Sequence, residues 1–167
     1  MIASKITGGK NVNIKNLEAD CDGSLKRLGT DYLDVYMTHW PARYSPQSNW
    51  GQSLEYNMEA EPYYTQNANL EELVGGMGKL LKAGKIRSWG LCNDNCYGLT
   101  ATHYIAKSMG VDPPVCLQND YSLTNRRVEE SGQSEASSPF NLNTGFMAYN
   151  LLGGGFLTGK YLNGKNV

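Results

Sequence analysis

The sequence lacks the features that mark several large protein classes. Its 167 residues carry a formal net charge of -1, and lysine and arginine are scattered rather than clustered. Binding to nucleic acid or to an acidic membrane surface needs a basic patch, so we expect neither partner. No apolar run approaches the roughly 20 residues that span a bilayer, and the first ten residues resemble neither a signal peptide nor a transit peptide. We therefore expect a soluble chain with no membrane span.

Cysteine and histidine are also scarce, which argues against a disulfide framework and against a metal site. Four cysteines in 167 residues lack the density of a disulfide-stabilised scaffold, so reduced thiols are expected. Cys92 and Cys96 are separated by three residues instead of the two usual in zinc motifs, and the two histidines, His39 and His103, lie in different segments. We therefore predict no metal site.

What the sequence does contain is hydrophobic spacing that alternates between strand and helix. In the first predicted helix, Leu17, Cys21, Leu25 and Leu28 recur at helical spacing, and Gly29 follows where a C-terminal cap is expected. The predicted strands cover residues 2–7, 32–39, 86–92, 114–118 and 146–150. The predicted helices cover 13–28, 69–84, 97–109 and 127–136, and a long polar segment, 41–68, separates the first two. A segment of that length inside a compact domain usually serves a function.

Five strands alternating with four helices predict a parallel α/β sheet with right-handed crossovers. Such a sheet is either open and doubly wound or part of an eight-stranded barrel. His39, Asn93 and Gln118 each lie at or just beyond the end of a different predicted strand. In a parallel barrel those ends meet on the face where active sites form. Each residue alone is consistent with ordinary turn chemistry, but their joint placement favours the barrel and a site at its mouth.

A second candidate binding segment is the glycine-rich stretch "LLGGGFLTGK" at residues 151–160. Closely spaced glycines allow the backbone to approach a phosphate. The stretch lacks the GxxxxGK[ST] spacing, so it is not a Walker loop.

Five stretches resemble one known family in both order and spacing. They read "ASKITGG", "SLKRLGTDYLDVYMTHWP", "LLKAGKIRSWGLCNDN", "LQNDYSLTNRR" and "MAYNLLGGGFLTGKYLNG". Together they resemble the aldo-keto reductases, and most of all the bacterial and plastid branch with a long loop after the histidine strand. The resemblance implies a partial (β/α)8 TIM barrel of about five parallel strands and four connecting helices. It also implies a single incomplete barrel domain over residues 1–167, which uses NADPH to reduce small aldehydes and ketones. A soluble chain with reduced thiols would suit either the cytoplasm or the plastid stroma.

The resemblance also implies roles for individual residues. Lys5 matches the lysine that lowers the pKa of the family's tyrosine acid, His39 matches the histidine that orients the substrate carbonyl, and Trp40 would line the pocket. Asn93 and Gln118 match the pair that hydrogen-bonds the nicotinamide carboxamide. Residues that match the remaining cofactor contacts are Tyr149, which would stack on the nicotinamide, and Asn150, Leu152, Gly154 and Lys160, which would hold the pyrophosphate.

The chain also departs from the family pattern. Cys92 stands where the family usually has serine, and Asn150 and Leu151 replace a common serine-proline pair. The motifs match the third to seventh barrel strands, so the family's aspartate and tyrosine acid and the basic residues that bind the 2'-phosphate have no counterpart. We therefore expect the chain alone to be impaired, with its open sheet edges covered by another chain or by the missing segments. The alternatives are an inactive structural or regulatory subunit of a larger assembly, or an unrelated open α/β sheet.

Overall fold

The structure is a computed structural model that describes residues 1–6, 14–43, 45, 55–57, 59 and 70–162. Its strands are β1 (Ala3–Ile6), β2 (Leu33–Thr38), β3 (Ile86–Cys92), β4 (Cys116–Asp120) and β5 (Gly145–Tyr149). Its α-helices are α1 (Ile14–Leu28), α2 (Leu70–Lys82), α3 (Cys96–Ser108), α4 (Arg127–Glu130) and α5 (Gln133–Ser137), and a 3-10 helix follows at Gly153–Thr158. Most of the predicted polar segment 41–68 lies outside the described residues.

The five strands form one sheet in chain order, β1-β2-β3-β4-β5, and every neighbouring pair is parallel. This arrangement confirms the predicted parallel sheet. One row of register partners runs from Lys5 through Met37, Gly90 and Cys116 to Gly145. Because side chains alternate between the two faces of a strand, the members of this row share one face, which we call the inner face.

The opposite face of the sheet packs against the helices. Tyr36, Trp89, Leu91 and Leu117 from the strands are all at most 1% exposed and belong to the same apolar cluster as buried leucines of the helices. The Trp89 indole also donates a 2.6 Å hydrogen bond to the carbonyl oxygen of Asp112 in the loop that follows α3. The sheet is thereby fixed to its helical layer. Among the described helices, none is both long and apolar enough to cross a membrane.

The predicted end of the first helix is confirmed, because α1 ends at Leu28 and Gly29 follows with φ +65°. Two other local expectations from the sequence were wrong. The single helix predicted over 127–136 is two short helices, α4 and α5, because Gly132 adopts a left-handed φ of 74° between them. Gln118 lies inside β4 rather than at its end, because the strand pairs with β5 as far as Asp120.

Candidate active site at the carboxyl ends of the strands

Three side chains on the inner face lie close together in the half of the sheet that contains the carboxyl ends of the strands. Lys5 on β1 lies close enough to the buried thiol of Cys92 on β3 for its charge to act on that thiol. The same thiol lies 3.7 Å from Oε1 of Gln118, its register partner on β4. Burial raises the pKa of Cys92, while the neighbouring Lys5 charge acts in the opposite direction. The thiol therefore stays protonated at neutral pH and can donate to Gln118, as a serine hydroxyl at this position would.

His39 follows β2 at the same end of the sheet. Its backbone carbonyl accepts a 2.9 Å hydrogen bond from Nδ2 of Asn93. Its ring is exposed and lies 6.0 Å, centroid to centroid, from the ring of Trp40. Loss of part of its hydration lowers the pKa of His39, and the positive charge of Lys5 lowers it further. A neutral imidazole at pH 7 can donate one hydrogen bond without carrying a charge.

Asn93 is the residue that connects the strands at this end. Its backbone adopts a left-handed φ of 58°, a conformation that asparagine tolerates better than most residues. Its backbone N–H donates to the carbonyl of Gln118 at 2.9 Å, and its Oδ1 accepts a 2.6 Å hydrogen bond from the Tyr149 hydroxyl. Desolvation and then the Asp120 charge raise the pKa of Tyr149, so this phenol remains a donor at neutral pH.

The structure thus brings together five of the residues that the sequence singled out. Lys5 and Gln118 both lie beside Cys92, and Asn93 hydrogen-bonds His39, Gln118 and Tyr149 directly. These residues come from five different strands: four lie at or next to the carboxyl end of their strand, and Gln118 lies in the middle of β4. Their convergence is what a parallel barrel produces at its catalytic face.

The four residues predicted to hold the pyrophosphate lie in the loop beyond β5. Asn150, with φ 58°, accepts a 2.8 Å hydrogen bond from the backbone N–H of Gly154 through Oδ1. Leu152 is 57% exposed, and the Lys160 ammonium lies 4.8 Å from the centre of the Tyr161 ring. Three successive glycines, 153–155, have φ of 56°, 63° and 94°.

Several backbone donors of this loop are already used within it. The N–H of Gly153 donates to the carbonyl of Asn150 at 2.8 Å, and that of Gly155 donates to the carbonyl of Leu152 at 3.0 Å. The left-handed glycines therefore shape the loop, but these amides do not form an open anion nest. The loop's positive charge comes from Lys160.

Sequence reasoning missed a buried polar cluster directly beside Asn93. The Asp94 carboxylate, whose side chain is 2% exposed, pairs with the Arg43 guanidinium at 2.8 Å. Burial raises the pKa of Asp94, whereas the Arg43 charge lowers it. Arg43 also donates to Oδ1 of Asn95 at 2.7 Å. The only signal in the sequence was two charged residues near strand ends, and nothing in the sequence indicated that residues 51 positions apart would pair.

The thiols and imidazoles show no arrangement typical of a metal centre. All four cysteines are free. In the part of the chain that the structure describes, no three histidine, cysteine, aspartate or glutamate side chains are close enough to hold a metal ion.

Comparison with known proteins gives a consistent result. The aldo/keto reductase family model matches residues 1–167. The chain is 38% identical to an aldo-keto reductase of Babesia bovis, a match that covers 93% of this chain and 55% of that protein. It is 36% identical to Protein tas of Escherichia coli K12, covering 98% of this chain and 48% of the relative. The chain therefore spans about half the length of the curated relatives it matches.

A solved structure shows a similar fold. It is a thermostable aldo-keto reductase in complex with the inhibitor epalrestat, with a TM-score of 0.63 and 26% identity. The similarity covers 88% of this chain and 42% of that one. The five parallel strands correspond to part of its (β/α)8 barrel. With the family model matched along its whole length, this chain belongs to the aldo-keto reductase family.

Proposed function

We propose that the chain forms the central part of an incomplete aldo-keto reductase barrel, and that it carries the nicotinamide and carbonyl sites of an NADPH-dependent oxidoreductase. The observation that carries this proposal is the set of neighbouring polar side chains near the carboxyl ends of the strands. Lys5, His39, Asn93, Gln118 and Tyr149 are separated along the chain yet lie within one connected cluster. The substrates would be small aldehydes and ketones.

The residues present suit a nicotinamide. Its carboxamide group needs both a donor and an acceptor, and the Asn93 amide uses one N–H for the carbonyl of His39 and one lone pair for Tyr149. An amide has two of each, so Asn93 can bind a second partner through either atom. The Gln118 amide lies on the neighbouring strand, and the 36% exposed ring of Tyr149 offers a face for stacking. When bound, the cofactor supplies the hydride.

The carbonyl substrate would sit above Lys5 and beside His39. A neutral His39 can donate a hydrogen bond to the substrate oxygen, and the Lys5 charge favours the negative charge that develops there during reduction. The Trp40 ring, held near His39, would exclude water from one side. No tyrosine in these motifs matches the family's acid, and general acids typically contribute roughly 10²–10⁴-fold. We therefore expect slow turnover by this chain alone.

One observation favours the second candidate, a structural or regulatory subunit without activity. β5 is an edge strand of the described sheet, its Phe146 and Met147 are 37% and 40% exposed, and an uncovered strand edge tends to pair with another chain. In that role a different chain, or further barrel segments, would cover β5. The compartment, cytoplasm or plastid stroma, stays a prediction.

Titration of NADPH, followed by its fluorescence, tests the proposal. Loss of one neutral hydrogen bond costs about 0.5–1.5 kcal/mol, so Gln118→Ala should weaken NADPH binding by roughly 2- to 12-fold. Asn141→Ala, which removes an exposed amide before β5, should leave the affinity unchanged. The same titration with NADH tests the preference for the phosphorylated cofactor. If the wild-type chain binds neither nucleotide, the oxidoreductase proposal is wrong and the subunit role is favoured.

A further inference from the structure

The buried pair of Arg43 and Asp94 has no part in the nicotinamide and carbonyl sites, yet it lies directly beside them. Arg43 follows β2, and Asp94 follows β3, one residue after Asn93. The Arg43 side chain is 15% exposed and that of Asp94 is 2% exposed. Isolated buried charges are costly, and here the two charges are paired: Nη2 of Arg43 donates to Oδ1 of Asp94 at 2.8 Å and to Oδ1 of Asn95 at 2.7 Å.

The backbone of Asp94 is held as firmly as its carboxylate. Its carbonyl oxygen accepts hydrogen bonds from Nδ2 of Asn119, at 2.8 Å, and from Nε2 of Gln133. Its Oδ1 accepts from the backbone N–H of Asn95 at 2.8 Å. Asp94, the residue after Asn93, is therefore held in place by contacts with β4, with α5 and with the segment after β2. A left-handed residue such as Asn93 keeps its conformation when the backbone on both sides is constrained.

We propose that Arg43 and Asp94 are positioning residues for the nicotinamide site: their ion pair holds the backbone that follows β3, and so sets where Asn93 presents its amide. This proposal rests on the proposed cofactor site, because the amide matters only if a nicotinamide contacts it. Neither residue would touch the cofactor. Their effect would pass through the Asn93 backbone to the amide that meets His39 and Tyr149.

The chain contains a second, more exposed arginine–aspartate pair that serves as a control for position. Arg87 pairs with Asp34 at 3.0 Å and lies over the Tyr32 ring at 3.9 Å, much as Arg43 lies 5.2 Å from the centre of the Tyr97 ring. The control pair connects β2 with β3, whereas Arg43 and Asp94 connect the segments that follow these two strands. The control pair lies near the amino ends of these strands, far from the proposed site.

The test compares variants of these two pairs in the full chain. Arg43→Met alone leaves a buried carboxylate unpaired and threatens folding, so the main variant is Arg43→Met with Asp94→Asn, which removes both charges and keeps an acceptor for Asn95. We expect it to melt near the wild-type temperature but to bind NADPH about tenfold more weakly. Arg87→Met with Asp34→Asn should bind NADPH within about twofold of wild type. Arg43→Lys alone, which keeps the charge, should bind NADPH more tightly than the Arg43→Met, Asp94→Asn variant and more weakly than the wild type.

Amide hydrogen exchange provides a readout that needs no cofactor. The Asn93 N–H, bonded to the carbonyl of Gln118, should exchange about tenfold faster in the Arg43→Met, Asp94→Asn variant, while amides in β2 keep their protection. Unchanged protection of Asn93 would overturn the proposal, as would faster exchange with unchanged NADPH affinity. If the wild-type chain does not bind NADPH, the proposed function fails separately, and the exchange at Asn93 still decides whether the ion pair fixes this residue.

Discussion

Substitution of Gly90 by alanine tests the packing of the inner face. Gly90 lies in the middle of the row between Met37 and Cys116. A Cβ atom at this position would lie 2.7 Å from the carbonyl oxygen of Cys116 and 3.3 Å from Cγ of Met37, and it would overlap the Cys116 sulfur. The sulfur could rotate away, but the carbonyl belongs to the backbone of β4. The alanine variant therefore has to displace a strand.

The expected cost follows from these contacts. Overpacking a closely packed interior typically costs about 1–3 kcal/mol. Alanine also gains about 0.5–1 kcal/mol over glycine within a strand, because it has less conformational freedom to lose on folding. These two contributions leave a net loss of roughly 0–2.5 kcal/mol, and its central value of about 1 kcal/mol lowers the melting temperature of a chain of this size by roughly 2–4 °C.

Thermal unfolding followed by circular dichroism measures this loss, and Gly145→Ala is the matched control. Gly145 is the register partner of Cys116 on the other side, but the nearest atom to a methyl group at Gly145 would be 3.4 Å away. That variant should melt at or slightly above the wild-type temperature. If Gly90→Ala melts as the wild type does, β3 and β4 do not approach this closely at Gly90, and the inner face is looser than these distances imply.

Two further predictions concern the carboxyl end of the sheet. Lys5→Met should raise the pKa of His39, because it removes a positive charge that lowers this pKa. NMR titration of the imidazole ring protons measures the change. His103, whose pKa is lowered by burial and by Lys107, should keep its pKa and serves as the reference. Because its lowered pKa disfavours protonation of His39 in the folded state, the free energy of unfolding should fall as the pH drops below about 6.5. This fall should be less steep in Lys5→Met than in the wild type. Equal slopes of stability against pH in the two proteins would contradict this prediction. Asn95→Ala should cost about 0.5–2 kcal/mol in denaturant unfolding, because Asn95 caps α3 by accepting from the N–H of Gly98; no change in the midpoint would show that the cap contributes nothing.

Most of the sheet could be predicted from the sequence because its signals are local. Apolar residues at strand and helix spacing located all five strands to within about two residues, and polar residues after them located the edge where the candidate site lies. Gly132 shows where local signals fail. Its left-handed turn divides a weakly periodic helix, and an isolated glycine does not by itself reveal whether a helix continues or breaks.

The pairing of distant residues was the part that the sequence did not reveal. Asn93 was singled out as a cofactor ligand, but its bond to the Tyr149 hydroxyl joins strands that are 56 residues apart. No sequence pattern marks Arg43 and Asp94 as a pair, because single charged residues near loops are usually solvated. Their burial depends on how α3, α5 and the segment after β2 pack around them, which no local pattern encodes.

The most direct test of the central claim is an NMR titration of the 15N-labelled chain with NADPH, observing side-chain amides. If the carboxyl ends of the strands form the nicotinamide site, the NH2 signals of Asn93 and Gln118 shift together and saturate at one Kd, while that of Asn141, before β5, stays in place. Saturable shifts that spare both Asn93 and Gln118, or the absence of any saturable shift, would contradict the account.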